Sequence, residues 1–141
     1  MIAIDSAWRR PVRMPGAIAA EFLEHAKEKE EHADRFAERI TQLGGEPDFS
    51  PDTLTARSHA EYVAGNTLAE MLKEDLIAER IAIESYREII QHLGDGDPTT
   101  RRLFEEVLEV EEEHADELID LIDQLGNSAG TQAIADVTAA R

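Results

Sequence analysis

The chain has 141 residues, 31 acidic against 14 basic, a net charge of −17, 42 % apolar side chains and only 5 % aromatics. That length suits one domain. The charge argues against nucleic acid and anionic membranes as partners, because their phosphates repel such a surface; metal cations are compatible with it. There is no cysteine, which removes thiolate ligands, disulfides and thiol catalysis. No apolar run approaches the ~20 residues of a membrane span. Arg9, Arg10 and Arg13 are not followed by an apolar h-region, so no signal peptide is expected and the cytoplasm is the expected location.

Residues 1–16 have no helical period and contain Pro11 and Pro15; they read as an irregular N-terminal arm. A first helix is predicted from Ala17 to Leu43, stopped by Gly44-Gly45. A long connection follows over 46–66, in which Ser50-Pro51 opens a short helical piece reaching Tyr62. A second helix starts at a capping box, Thr67 to Glu70, and ends near Leu93. Asp97-Pro98 caps a third, which is expected to stop at Leu125-Gly126. The domain therefore covers 17–126, and 127–141 reads as a C-terminal tail, frayed or a short terminal helix. The short link between the second and third helices makes them antiparallel neighbours. The long link before them can cross the length of a bundle. The fold class is all-α, a bundle with one long crossover.

The three helices share an anomaly. On the first, the apolar stripe reads Ile18, Phe22, His25, Lys29, His32, Phe36, Ile40 and Leu43. On the second it reads Leu68, Leu72, Leu76, Glu79, Ile83, Tyr86, Ile90 and Leu93, with Asp75 beside it. The third reads Phe104, Val107, Glu111, His114, Leu118, Leu121 and Leu125. Ionisable groups inside an apolar face are costly unless a partner, proton or metal compensates them. Three such helices point to one polar centre, and its carboxylate oxygens and imidazole nitrogens suit Fe, Mn or Zn. The competing readings are plain: Glu79 pairs with Lys29, His25 packs at a helix edge, His59 is solvated in the crossover, and His92 complements a helix C-terminus. The runs Glu28–Glu31 and Glu105-Glu106 read mainly as solvated faces.

The segments EFLEHAKEKEEHADRFAERITQLGGEPDF and GNTLAEMLKEDLIAERIAIESYREIIQHLGDGDPTTRRLFEEVLEVEEEHADEL, with the crossover between them, resemble the bacterioferritin and Dps-like branch of the ferritin-like superfamily over about residues 16–125. The resemblance implies a four-helix bundle with a di-iron centre built from Glu, Glu-x-x-His, Glu and a second Glu-x-x-His. Carried onto this chain, Glu79 is the third-helix ligand, Glu111 and His114 are the fourth-helix pair, His32 is the second-helix histidine, and Tyr86 matches a tyrosine beside such centres. Lys29 stands where a bridging Glu is expected, and residues 1–15 do not resemble the family's first helix. The position of the haem-ligating Met, two before His32, is Glu30, so no haem is expected.

The resemblance implies Fe(II) oxidation and iron storage or detoxification on a partly degraded di-iron site, a ferroxidase-type activity if that site functions. Glu79, Glu111, His114 and Tyr86 would carry it, with Fe (or Mn or Zn) held by Glu79, Glu111, His114 and His32. One alternative is a non-catalytic helical oligomer in which Lys29 pairs with Glu79 and Glu111. Another is a small di-metal oxidoreductase acting on peroxide. Three amphipathic helices built for four leave an apolar groove, so a homo-oligomer, at least a dimer, is expected.

Overall fold

The computed structural model describes residues 16–58, 60–61, 63 and 65–139, and their side chains except at 54, 55 and 128–139. Helix α1 spans Gly16–Gln42, a 3₁₀ turn Pro51–Thr53 leads into the short α2 (Leu54–Arg57), and α3 (Leu68–Leu93) and α4 (Pro98–Ala139) complete the order. Of the expected irregular arm over 1–16, all but Gly16, which opens α1, lies outside the described residues, as do His59 and Tyr62 in the crossover.

The helix ends follow local chemistry. Gly44 takes φ +82°, the left-handed conformation that costs a glycine no Cβ clash. Its N–H donates to Thr41 O at 3.0 Å, and the Gly45 N–H donates to Ile40 O at 2.9 Å. These are the paired bonds of a Schellman motif, which satisfy carbonyls the helix would otherwise orphan. At the start of α3, Thr67 Oγ1 accepts the Glu70 N–H at 3.2 Å. The Glu70 carboxylate returns to the N–H of Asn66, at 2.8 Å, rather than to that of Thr67. The box is therefore closed one residue earlier than the simple pattern.

Asp97 caps α4 and also ties it to α1. Its carboxylate accepts the Thr100 N–H at 3.0 Å and two bonds from Arg39 Nη2, both 3.0 Å. These donors and the Thr100 hydroxyl hold its carboxyl down to about 2.

One boundary differs from expectation. Helix α4 does not stop at Gly126 but continues to Ala139, giving 42 residues. The described glycines with positive φ are Gly44 and Gly94, so Gly126 keeps helical geometry and caps nothing. A helical glycine costs about 1 kcal/mol against alanine, too little to end a helix this long.

Cross-helix contacts fix the topology. Along α1, His25 meets Glu117, Lys29 meets Glu111, Arg35 meets Glu106 and Arg39 meets Asp97; rising numbers on α1 pair with falling numbers on α4. On α3, Glu79 shares the Lys29 ammonium with Glu111, and Tyr86 packs against Phe104 with ring centroids 5.7 Å apart, so numbers that rise on α3 fall on α4. Thus α4 runs antiparallel to both α1 and α3, and α1 and α3 are parallel. Parallel neighbours require a connection that returns the full length of the helix, which is what the crossover supplies.

Most of the apolar core lies toward one end, with Ile83 and Leu108 continuing it past the polar centre. It comprises Ile18, Leu72, Leu76, Ile83, Ala115 and Leu118, flanked by Phe22, Leu68, Leu108 and Ile122. Toward the other end, Phe36, Tyr86 and Phe104 contribute one ring from each long helix, with Phe36 and Phe104 centroids 4.7 Å apart. Between these apolar blocks sit buried His25, His32, Glu79, Glu111 and His114.

Candidate metal centre

The five buried polar residues and Lys29 come from α1, α3 and α4, and they meet because each occupies a core-facing turn at mid-helix. The Lys29 Nζ lies 2.7 Å from Glu111 Oε2, 2.8 Å from Glu79 Oε1 and 2.9 Å from Glu79 Oε2, to which it donates. Glu79 and Glu111 are 1 % and 2 % exposed, so almost no water solvates their charge. Burial opposes the Lys29 charge, but the two carboxylates outweigh it and raise its pKa. Burial, aided by a hydrogen bond with Glu111, pushes Glu79 up to about 8 against the pull of Lys29. Burial would raise Glu111 as well. The nearby His114 ring, hydrogen bonds from His32 and Glu79, and the Lys29 charge prevail and hold it well below the usual carboxylate range. The pair therefore behaves as one carboxylate and one carboxylic acid around a fixed ammonium.

The histidines divide between two roles. His32 donates from Nδ1 to Glu111 Oε1 at 3.2 Å, so both Glu111 oxygens are engaged. His25 and His114 stack, with ring centroids 3.8 Å apart and planes 20° from parallel. Each donates from Nε2 to a carboxylate of the opposite helix: His25 to Glu117 at 2.9 Å, and His114 to Glu28 at 2.6 Å. Burial lowers the His114 pKa, but the Glu111 carboxylate, 3.6 Å from its Nδ1, and the bond to Glu28 turn the net shift upward.

Among the described residues, three buried side-chain atoms have no hydrogen-bond partner: His25 Nδ1, His114 Nδ1 and Glu79 Oε1. Near as Oε1 is to the ammonium, it is not aligned to accept from it. His25, Glu79 and His114 are also the buried set whose ligand atoms gather within 4.8 Å of one another. Asp75, Ala78, Phe36 and Tyr86 line a cavity of about 380 Å³ beside Lys29. Burial raises the Asp75 carboxyl, against the charges of Lys29 and His25. Tyr86 is likewise raised, by burial and then by Glu111.

All the residues singled out in the sequence thus converge: Glu79, Glu111, His114, His32 and Lys29 in direct contact, with Asp75 and Tyr86 lining the cavity. Sequence reasoning assigned His25 a packing role. The stack is such a role, yet the ring also presents a donor atom to Glu79 and His114. Glu28 and Glu117 were read as part of solvated faces or not at all. A signal existed: His25–Glu28 and His114–Glu117 are two copies of His-x-x-Glu, placed face to face by antiparallel helices.

The geometry fits a two-ion centre only in part. The ammonium contacts both carboxylates that would have to bridge two ions, so a second cation there meets a fixed positive charge at contact distance. The remaining donors fit one ion.

A ferritin-like domain model matches residues 15–128. The chain belongs to the ferritin-like family. A bacterioferritin from Desulfovibrio desulfuricans is 34 % identical over 100 residues, covering 70 % of this chain and 52 % of that protein. The chain thus spans about half the length of the curated relative it matches. Among solved structures, a dodecameric thioferritin, the bacterioferritin-related protein of Bacteroides fragilis, aligns with TM-score 0.83 at 27 % identity, covering 92 % of this chain and 79 % of the other. A Desulfovibrio desulfuricans bacterioferritin, described with a diiron site, aligns with TM-score 0.69 at 30 % identity, covering 79 % and 62 %. No helix among the described residues is long and apolar enough to cross a membrane.

Proposed function

We propose that this ferritin-like chain is an iron-handling protein, taking up Fe(II) as cargo at its buried carboxylate–histidine centre and storing or detoxifying it as a cytoplasmic homo-oligomer. The observation that supports this most is the burial of Glu79, Glu111 and His114 together at mid-bundle, on the scaffold shared with bacterioferritin. Oxygen and imidazole donors of that kind suit iron, with manganese and zinc as competitors. Glu79 and His114 are the ligands, with Glu111 oriented by His32 beside them. Oxidation that needs two neighbouring ions is impaired, because Lys29 holds one of the positions as a permanent charge.

Exposed Leu23, Ile77 and Ile89 favour burial against further copies, and the dodecameric assembly of the thioferritin relative supports a multi-subunit form.

The test is iron loading. Fe(II) is added without oxygen, air is admitted, and protein and iron are followed together through gel filtration with light scattering. Iron co-eluting with a large oligomer at many ions per chain is expected, with faster appearance of ferric absorbance in Lys29→Glu, which restores a carboxylate three residues before His32. Iron that precipitates or elutes apart from a folded wild-type chain refutes the proposal. It would favour the second reading, a non-catalytic helical oligomer, which the Lys29 bridges to Glu79 and Glu111 motivate.

A further inference from the structure

We infer that the chain has a single-ion site of its own, formed by His25, His114 and Glu79, in place of the paired-ion arrangement its family pattern implies. The inference rests on the proposed function's view that this centre binds metal at Glu79 and His114, and adds His25 as the third ligand in place of Glu111 or His32.

Three observations converge on it. First, the buried side-chain atoms without hydrogen-bond partners are one from each of these residues: His25 Nδ1, His114 Nδ1 and Glu79 Oε1. Buried polar groups are otherwise paired in native proteins, so three orphans in one place mark where a ligand belongs. Second, their ligand atoms lie within 4.8 Å of one another, and His114 Nδ1 and Glu79 Oε1 are 3.8 Å apart. Bond lengths of about 2.0–2.2 Å to a borderline divalent ion require only a small closure. Third, each histidine already has the outer partner that a metal-bound imidazole takes. A carboxylate on Nε2–H fixes the tautomer and leaves Nδ1 as the lone pair. Glu117 does this for His25 and Glu28 for His114.

By contrast, Glu111 has Oε2 on Lys29 at 2.7 Å and Oε1 on His32 at 3.2 Å. His32 spends its Nδ1 on that bond. Glu79 Oε1 faces the ammonium at 2.8 Å without accepting from it, so an ion can take Oε1 while Lys29 stays bonded to Glu79 Oε2 and Glu111 Oε2.

Two nitrogens and one carboxylate oxygen suit Fe(II) or Zn(II) and leave coordination positions open. Lys29 adds the charge that keeps Glu79 and Glu111 compensated without a second ion. Glu21 and Glu117 lie within 3.7 and 2.9 Å of His25 Nε2 on the exposed rim, an acidic mouth through which a cation enters. The two rings are stacked with centroids 3.8 Å apart, so seating an ion would call for a tilt of one ring about χ2, a torsion that is soft in histidine.

The test uses the chelator-treated full chain and Zn(II) and Co(II) as probes, without iron. Calorimetry with Zn(II) is expected to give one tight site per chain, and Co(II) to show ligand-field bands of a low-symmetry nitrogen–oxygen site. With ¹⁵N-histidine labelling, the Nδ1 resonances of His25 and His114 should move on Zn(II) binding, while those of His32 stay. His25→Phe, which keeps a ring in the stack, should weaken binding by more than the roughly 100-fold that loss of an outer partner costs, and Glu117→Gln by about 10–100-fold. Circular dichroism checks that both variants fold.

Movement of His32 and His114 with His25 unchanged would overturn the inference in favour of the family ligand set. So would undiminished binding in folded His25→Phe, or no Zn(II) binding by the wild type. Zn(II) binding as expected with failed iron loading would refute the iron proposal alone.

Discussion

Lys29→Met isolates the ammonium's contribution. At 2.7 Å from Glu111 Oε2, with an effective dielectric near 20, its attraction to that oxygen is about 6 kcal/mol before desolvation, which costs several kcal/mol per ion. Removing one partner of a buried pair costs about 3–5 kcal/mol. Here the low end, about 3 kcal/mol, is expected at pH 7. Glu79, pushed up to about 8, is then mostly protonated, and His32 still donates to Glu111. The cost should grow with alkalinity. A carboxyl raised in the folded state contributes stability fully present below its unfolded value and lost as pH rises through the folded one. In wild type that loss runs up to about 8. Without Lys29 the folded value moves higher, so the variant goes on losing stability beyond it. Urea unfolding followed by circular dichroism at pH 6, 7 and 9, at fixed protein concentration, measures this. A deficit below about 1 kcal/mol that does not change with pH would refute the picture of an ammonium holding two buried carboxylates, given the 3–5 kcal/mol such a pair loses when broken.

Asp97→Ala removes both the α4 cap and the clamp from Arg39, and is expected to lower the melting temperature by a few degrees at pH 7. Because the Asp97 carboxyl sits at about 2, below its unfolded value, its contribution is present above about pH 4 and lost as pH falls through 2, so melting curves of the two proteins should converge over that interval. Leu118→Ala, at a site 1 % exposed, should cost about 2–5 kcal/mol in urea unfolding. Gly126→Ala should stabilise the chain by about 0.4–1 kcal/mol, because among the described residues no atom outside its own stretch of helix backbone lies within 4 Å of the added Cβ. Destabilisation instead would mean that Gly126 is a left-handed cap and that α4 ends there.

Much of this architecture is legible in the sequence because its determinants are local. The Gly44-Gly45 stop, the Thr67 cap and Asp97-Pro98 each act through residues three to five positions away, and the crossover follows from connection length. The polar centre is also legible, since Glu79, Glu111 and His114 interrupt stripes whose period is otherwise apolar. What is not legible depends on register between helices. That His25 bonds to Glu117 and His114 to Glu28 requires knowing that residue 25 of α1 lies opposite residue 117 of α4, which no single-helix periodicity supplies. The length of α4 is hidden for another reason. Gly126 carries the composition of a stop signal, but its backbone is free to stay helical, and 127–139 lack the apolar stripe that would announce a helix.

Lys29 also changes what metal loss does to the fold. Where two ions alone neutralise buried carboxylates, removing them leaves like charges facing each other, and the acids must protonate or the helices part. In this chain one compensating charge is covalently attached. Glu79 and Glu111 hold that ammonium at 2.8 and 2.7 Å, so no ion is needed to offset them, and the raised Glu79 carboxyl carries the proton that completes the balance. Metal should therefore stabilise only by mass action, RT ln(1 + [L]/Kd), about 2.7 kcal/mol at a hundredfold excess over Kd. Chelation is expected to leave helix content and a cooperative melt intact, with a melting temperature lowered by only that increment. A non-cooperative melt or loss of helix on chelation would show that the ammonium does not compensate the centre, and would make metal a structural requirement of the bundle.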